Sequence, residues 1–149
     1  MALAGYPVAL HVVEGEADHL GRSRAKGYAC GSNPYVTHVD NDDYVLPSAF
    51  AVLASALARS PDAIFTGEMQ CDAEGVLRPG ASGLRHHLAV FRRDRLMDHS
   101  RYALAGDRYQ IAAVTDAVCI DLPDRVYCWR VWDSPCRELR RRIGHVEAL

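Results

Sequence analysis

A single lysine, Lys26, stands among 149 residues, so positive charge is carried almost wholly by arginine. With a formal net charge of −2, the chain exerts no global pull on nucleic acid or an anionic membrane. Any C-x-x-C spacing is also missing. Cys30, Cys71, Cys119, Cys128 and Cys136 form an odd set, mostly in apolar or small-residue surroundings, and read as reduced thiols of an intracellular, cytoplasmic protein. Neither an H-x-x-x-H pattern nor a Cys/His ladder accompanies the pair His86-His87, which argues against a structural zinc site. No stretch approaches the roughly 20 apolar residues of a membrane span. The apolar opening, residues 1–7, lacks a basic flank and runs toward Glu14, Glu16 and Asp18, unlike a signal peptide. Repeats, biased segments and linkers are absent too. What remains is ordinary globular composition, 49% hydrophobic and 24% charged, in a length that supports one domain over residues 1–149.

Hydrophobic spacing divides the chain into short elements. Residues 8–13 are a β-branched run expected as a buried strand, and residues 20–30 carry Ala and apolar positions at helical intervals before Gly31. A second strand is expected over 35–39. Pro47 then suits a first helical turn, with Phe50, Leu53, Ala54 and Leu57 following at three- and four-residue steps. Two βα units in succession imply a parallel sheet with right-handed crossovers. Further strands are expected at 63–66, 88–91, 118–121 and 126–131, with turn chemistry at Asp72-Ala73-Glu74-Gly75. Helices are expected over 107–116 and from about Pro135. The fold class is α/β: one domain with a mixed sheet, parallel in its first half and partly antiparallel in its second, flanked by helices.

The run from Tyr35 through His38-Val39-Asp40-Asn41-Asp42-Asp43 to Pro47 places carboxylates where a strand runs out into a loop. Ligands of open α/β sheets bind beyond the carboxyl ends of strands, and Asp40 and Asp42, two apart in an extended stretch, would project to one side. Hard cations such as Mg²⁺ and Mn²⁺ bridge such carboxylates to phosphates. A solvated turn is the plain alternative, since Asn and Asp favour turns. An EF-hand loop is excluded by Tyr44 and Val45 at positions needing an oxygen ligand and Gly.

The Asp40-Asn41-Asp42-Asp43 segment resembles the D-x-D region of nucleotide-sugar glycosyltransferases of the GT-A fold, especially family 2. It also partly resembles the nucleophile motif of haloacid-dehalogenase-type phosphatases, but those need a lysine downstream and Lys26 lies upstream. The glycosyltransferase resemblance runs in order from Val8 to Asp133. It implies a nucleotide-diphosphate sugar donor, with Asp40 and Asp42 on Mn²⁺ or Mg²⁺ and Asp43 and Arg24 in the donor site, Arg22 being a weaker candidate. Arg24 lies in Arg24-Ala25-Lys26-Gly27, similar to the family's Arg-Asn-x-Gly with Ala for Asn, and otherwise reads as an exposed helix arginine. The segment His87-Leu88-Ala89-Val90-Phe91-Arg92-Arg93 resembles the stretch that precedes the family's acidic pair. That pair falls at Gly106-Asp107, which leaves Asp107 as general base of an inverting transfer or as a helix N-cap.

Trp132 stands where the family often has a histidine, and Q-x-x-R-W is missing, which implies transfer of single sugars. Trp129 and Trp132 suit either stacking or core packing. The acceptor is expected to be a soluble saccharide or small molecule, with a modified DNA base, met by Arg137, Arg140, Arg141 and Arg142, as the minority alternative. One βα unit usual at the front of family 2 chains has no counterpart. That leaves room for a homo-oligomer, or for a non-catalytic nucleotide-binding subunit that completes a partner.

Overall fold

The computed structural model describes residues 7–80, 85, 88–103, 106–114 and 118–131, with backbone only at 106–108. Helix α1 spans Leu20–Ala29. It opens where the His19 ring accepts the Arg22 N–H at 3.1 Å, and it ends before Gly31, whose φ of +67° suits glycine at a helix exit. Its inward face carries Gly21, Arg24 and Tyr28, at helical spacing. Gly21 is required by close approach: a Cβ there would lie 1.9 Å from the Tyr102 carbonyl oxygen and 2.3 Å from that of His99. The helix thus lies directly on the backbone of the short 3₁₀ turn His99–Arg101.

Residues 8–13 do not form the expected strand. A turn at Ala17-Asp18, with Asp18 at φ +60°, folds this segment back along α1. Glu16 then meets Lys26 at 2.8 Å and its N–H donates to the Ser23 hydroxyl at 2.8 Å, while Val13 lies beside Gly27 and His11 beside Gly31. Val12 is left 90% exposed. β-Propensity expresses fitness for a pleated surface, and no strand among the described residues lies alongside this run.

Strands β1 (Tyr35–Val36) and β2 (Tyr44–Val45) flank the turn bearing the aspartates, followed by α2 (Ala49–Leu57), β3 (Ala63–Cys71), β4 (Leu77–Pro79), β5 (Val90–Arg92), α3 (Gly106–Ala113) and β6 (Cys119–Arg130). Among the described residues the sheet runs β1-β5-β3-β6-β2, with β4 on the end of β3. The mixed α/β sheet expected from the sequence forms. Its parallel pairing lies between β3 and β6, however, whereas β1 pairs β5 and β2 pairs β6 in antiparallel sense. Successive residues of β3 face opposite sides. Ile64 packs with Ala49, Leu53 and Ala56 of α2, while Ala63 and Phe65 pack with Phe91 and with Val114 just past α3.

Strands expected at 118–121 and 126–131 are one strand, β6. Pro123 and Asp124 are absorbed by register shifts on either side of Gly67, where a Cβ would come within 2.9 Å of the Arg125 side chain. The basic run Arg92-Arg93-Asp94-Arg95 is turned to internal contacts instead of plain surface charge. Arg92 and Arg95 reach the Asp62 carboxylate at 2.8 and 3.2 Å. Arg93 donates to the carbonyls of Tyr28, Asn33 and Cys30 at the end of α1. The C-terminal helix expected from Pro135 lies outside the described residues.

Candidate functional site

Beyond Val36 the chain leaves the sheet, held by the Thr37 hydroxyl donating to the Ala89 carbonyl at 2.8 Å. The Asp43 N–H then returns to the Asp40 carbonyl at 3.1 Å, closing a turn over Asp40-Asn41-Asp42-Asp43. The extended geometry expected for Asp40 and Asp42 is therefore corrected to a hydrogen-bonded turn, a conformation Asn and Asp favour.

The aspartates of this turn have different surroundings. Both carboxylate oxygens of Asp43 are taken: the Tyr127 hydroxyl donates at 2.6 Å and the Arg130 N–H at 2.8 Å. Burial pushes the Asp43 carboxyl above its ordinary range; those two donors pull it down, and the charges of Asp42 and Asp40 push it further up. Tyr127 is 1% exposed, and its oxygen also accepts the Asp40 N–H at 3.5 Å. Burial first, and then the Asp40 charge, hold this phenol far above its usual range. Asp42, by contrast, makes no hydrogen bond or ion pair among the described residues.

Arg24 is not an exposed helix arginine. Its side chain is 6% exposed and places Nη2 3.5 Å from an Asp40 oxygen, one turn of α1 before Tyr28. Arg22 faces outward and pairs with Glu16 at 3.6 Å. The Tyr28 hydroxyl lies 2.7 Å from His38 Nδ1, and its ring meets His99 edge-on at 5.0 Å. His99 in turn contacts the Gln110 side-chain oxygen at 3.2 Å, and that oxygen accepts the Met97 N–H at 2.8 Å. A buried polar chain thus ties α1, the segment before the aspartates and α3 together.

Asp107 is the second residue of α3, three before Gln110, and its side chain lies outside the described residues. So do Trp132 and the arginines at 137, 140, 141 and 142. Trp129 packs partly buried against the core. Structure therefore brings Arg24, Asp40 and Asp43 into one neighbourhood, beside Asp42. Tyr127 and His38 were not singled out by the sequence, because an aromatic in a strand and a lone histidine carry no motif.

Among the described residues no three His, Cys, Asp or Glu side chains converge on one metal position. Two carboxylates nevertheless suit a hard cation of the kind that completes its shell with phosphate and water. Among the described residues the Asp42 oxygens meet no partner, and Asp40 lies beside the Arg24 guanidinium, so two oxygen-donor carboxylates of one turn fit Mg²⁺ or Mn²⁺. No helix of the described residues is long and apolar enough to cross a membrane.

Neither a family model nor a curated protein matches the chain. Solved structures do. Residues 1–349 of S. aureus TarS in complex with UDP align at TM-score 0.62 and 17% identity, over 89% of this chain and 46% of that one. The same protein in complex with UDP-GlcNAc gives 0.63 and 18%, over 87% and 44%. A further crystal structure of TarS 1–349 gives 0.60 and 20%, over 89% and 46%. The chain thus spans somewhat less than half the length of these neighbours, 44–46%. At such identity the likeness shows the fold, a mixed α/β sheet matching part of a GT-A-like glycosyltransferase.

Proposed function

We propose that the protein is a metal-dependent glycosyltransferase that moves one sugar from a nucleotide-diphosphate donor to a hydroxyl of a soluble saccharide or small molecule. The observation that carries this reading is the turn that follows β1, where Asp42 has no partner among the described residues and a buried arginine, Arg24, lies against Asp40. It stands on a fold shared with a protein solved in complex with UDP and with UDP-GlcNAc. Asp40 and Asp42 would hold Mn²⁺ or Mg²⁺, whose positive charge counters that of a departing diphosphate. Arg24 adds a guanidinium on a packed helix, and arginine binds phosphate through paired N–H groups. In this reading Asp107 takes the proton of the acceptor hydroxyl, and the anomeric carbon inverts in a single displacement.

Hydrolysis of a panel of nucleotide sugars, with and without Mn²⁺, tests the proposal. Turnover of one donor should require the cation and collapse in Asp42→Ala. Metal-independent turnover that survives in the variant would overturn it.

A second reading, a nucleotide-binding subunit without catalysis, is favoured by one observation: residues 8–13 lie along α1 instead of adding a strand to the sheet. Calorimetry separates the two. Binding of UDP with Mn²⁺ and no turnover of any donor supports the subunit, and hydrolysis by the chain alone supports the enzyme.

A further inference from the structure

We infer that Asp43 and Tyr127 form a latch that sets the position of Asp40 and Asp42, and that Asp43 is a positioning residue and not a ligand of the donor or its cation. This rests on the donor-site reading above. Both oxygens of Asp43 already accept hydrogen bonds, from Tyr127 at 2.6 Å and from the Arg130 N–H at 2.8 Å. Each oxygen keeps a second lone pair, but turning the carboxylate toward a cation would break its bonds to the Arg130 amide and to the buried Tyr127 phenol. Tyr127 joins the two ends of the turn: its hydroxyl donates to Asp43 and accepts from the Asp40 N–H at 3.5 Å.

Beyond the turn, β2 is fastened to the same strand, Tyr44 opposite Cys128 and Val45 opposite Tyr127. The latch therefore fixes the aspartate turn to β6, and Arg24 meets Asp40 from α1. Asp42 is the carboxylate left to act outward. Groups that orient a metal's ligands without touching it characteristically change affinity by about 10–100-fold when removed.

Two variants and two readouts test this. Tyr127→Phe keeps the ring in the core and removes the hydroxyl, and Asp43→Asn keeps the shape and removes the charge. In the intact chain, each should remain folded by far-ultraviolet dichroism and lower the affinity for UDP with Mn²⁺, measured by calorimetry, by roughly tenfold or more. The double variant should be no weaker than the worse single one, because both remove the same latch. Independently, amide exchange at Asp40 and Asp43 should accelerate in Tyr127→Phe by roughly fivefold, the factor of one net hydrogen bond, while amides of β3 stay unchanged.

Wild-type affinity in both single variants, or exchange that accelerates equally throughout β3, overturns the latch. Failure of the wild-type chain to bind UDP with Mn²⁺ sinks the donor-site reading instead. In that case exchange at Asp40 and Asp43 still decides the latch, local acceleration supporting it and unchanged amides refuting it.

Discussion

Asp42 and Asp43 are chain neighbours of identical chemistry, yet among the described residues one meets no partner and the other has both oxygens engaged. The difference comes from the fold of the turn, which aims Asp43 at β6. A string of acidic letters conveys that carboxylates gather but not which of them is already occupied. Arg24 was expected in the donor site from the resemblance, but its burial was illegible: α1 buries Gly21, Arg24 and Tyr28, a face with one aromatic and no aliphatic residue, so no hydrophobic period marks its inward side. The position of Asp107 was readable as far as its backbone, at the start of α3. A residue-scale test follows for its proposed role. Asp107→Asn should leave the affinity for UDP with Mn²⁺ within about twofold while lowering transfer by about 10²–10⁴-fold, the usual worth of a positioned general base. Measured donor binding alongside turnover checks both halves, and a variant with full rate would leave Asp107 as a first-turn residue of α3, the second of the helix and not its N-cap.

At the scale of elements, α1 depends on contacts that its own sequence does not contain. The Arg93 guanidinium donates to the carbonyls of Tyr28, Asn33 and Cys30, satisfying groups that a helix end leaves open and placing positive charge at its negative pole. Arg93→Ala should therefore cost about 2–3 kcal/mol in urea denaturation, and Arg93→Lys should recover only part, because one ammonium cannot span those carbonyls in a planar fork. A loss under about 0.5 kcal/mol would place these contacts among ordinary surface bonds. Helices α1, α2 and α3 were legible near their observed limits because their spacing or boundary residues are local signals. Two strand readings failed where the deciding partner is remote. The strands expected separately at 118–121 and 126–131 are continuous, because Gly67 on β3 provides the room for a bulge that carries β6 through Pro123 and Asp124. Residues 8–13 have strand composition, and what decides their path is the backward turn at Asp18 together with the flank of α1.

For the molecule as a whole, Asp62 is a junction of charge between sheet and loops. Its carboxylate accepts the Val118 N–H at 2.9 Å and meets Arg95 and Arg92, contacts that hold it below the ordinary aspartate range, led by the Val118 bond. A depressed folded-state value means that this stabilisation is present above the unfolded value of about 3.9 and is lost as pH falls through the folded one. Urea midpoints from about pH 7 to about pH 3 should show Asp62→Asn less stable than wild type at the upper end and the difference shrinking toward the lower end. A constant gap across that range would assign the effect to packing. Asp43 runs in the opposite sense: its raised value means a contribution present at low pH that fades as pH rises through it. The overall α/β sheet was legible because apolar runs and turn residues alternate clearly, whereas the partner of each strand was not, since pairing is set across the chain. The latch between Asp43 and Tyr127 spans 84 positions, and that to Arg130 spans 87. Contacts so far apart in sequence are made only when both ends of the sheet have come together, at the cost of closing a long loop. A chain that has assembled only the β3–β4 hairpin has no ordered aspartate turn, since both partners of Asp43 lie on β6. Any ligand that selects the finished turn therefore binds the joined sheet and not its parts, and its binding energy adds to the stability of the complete molecule.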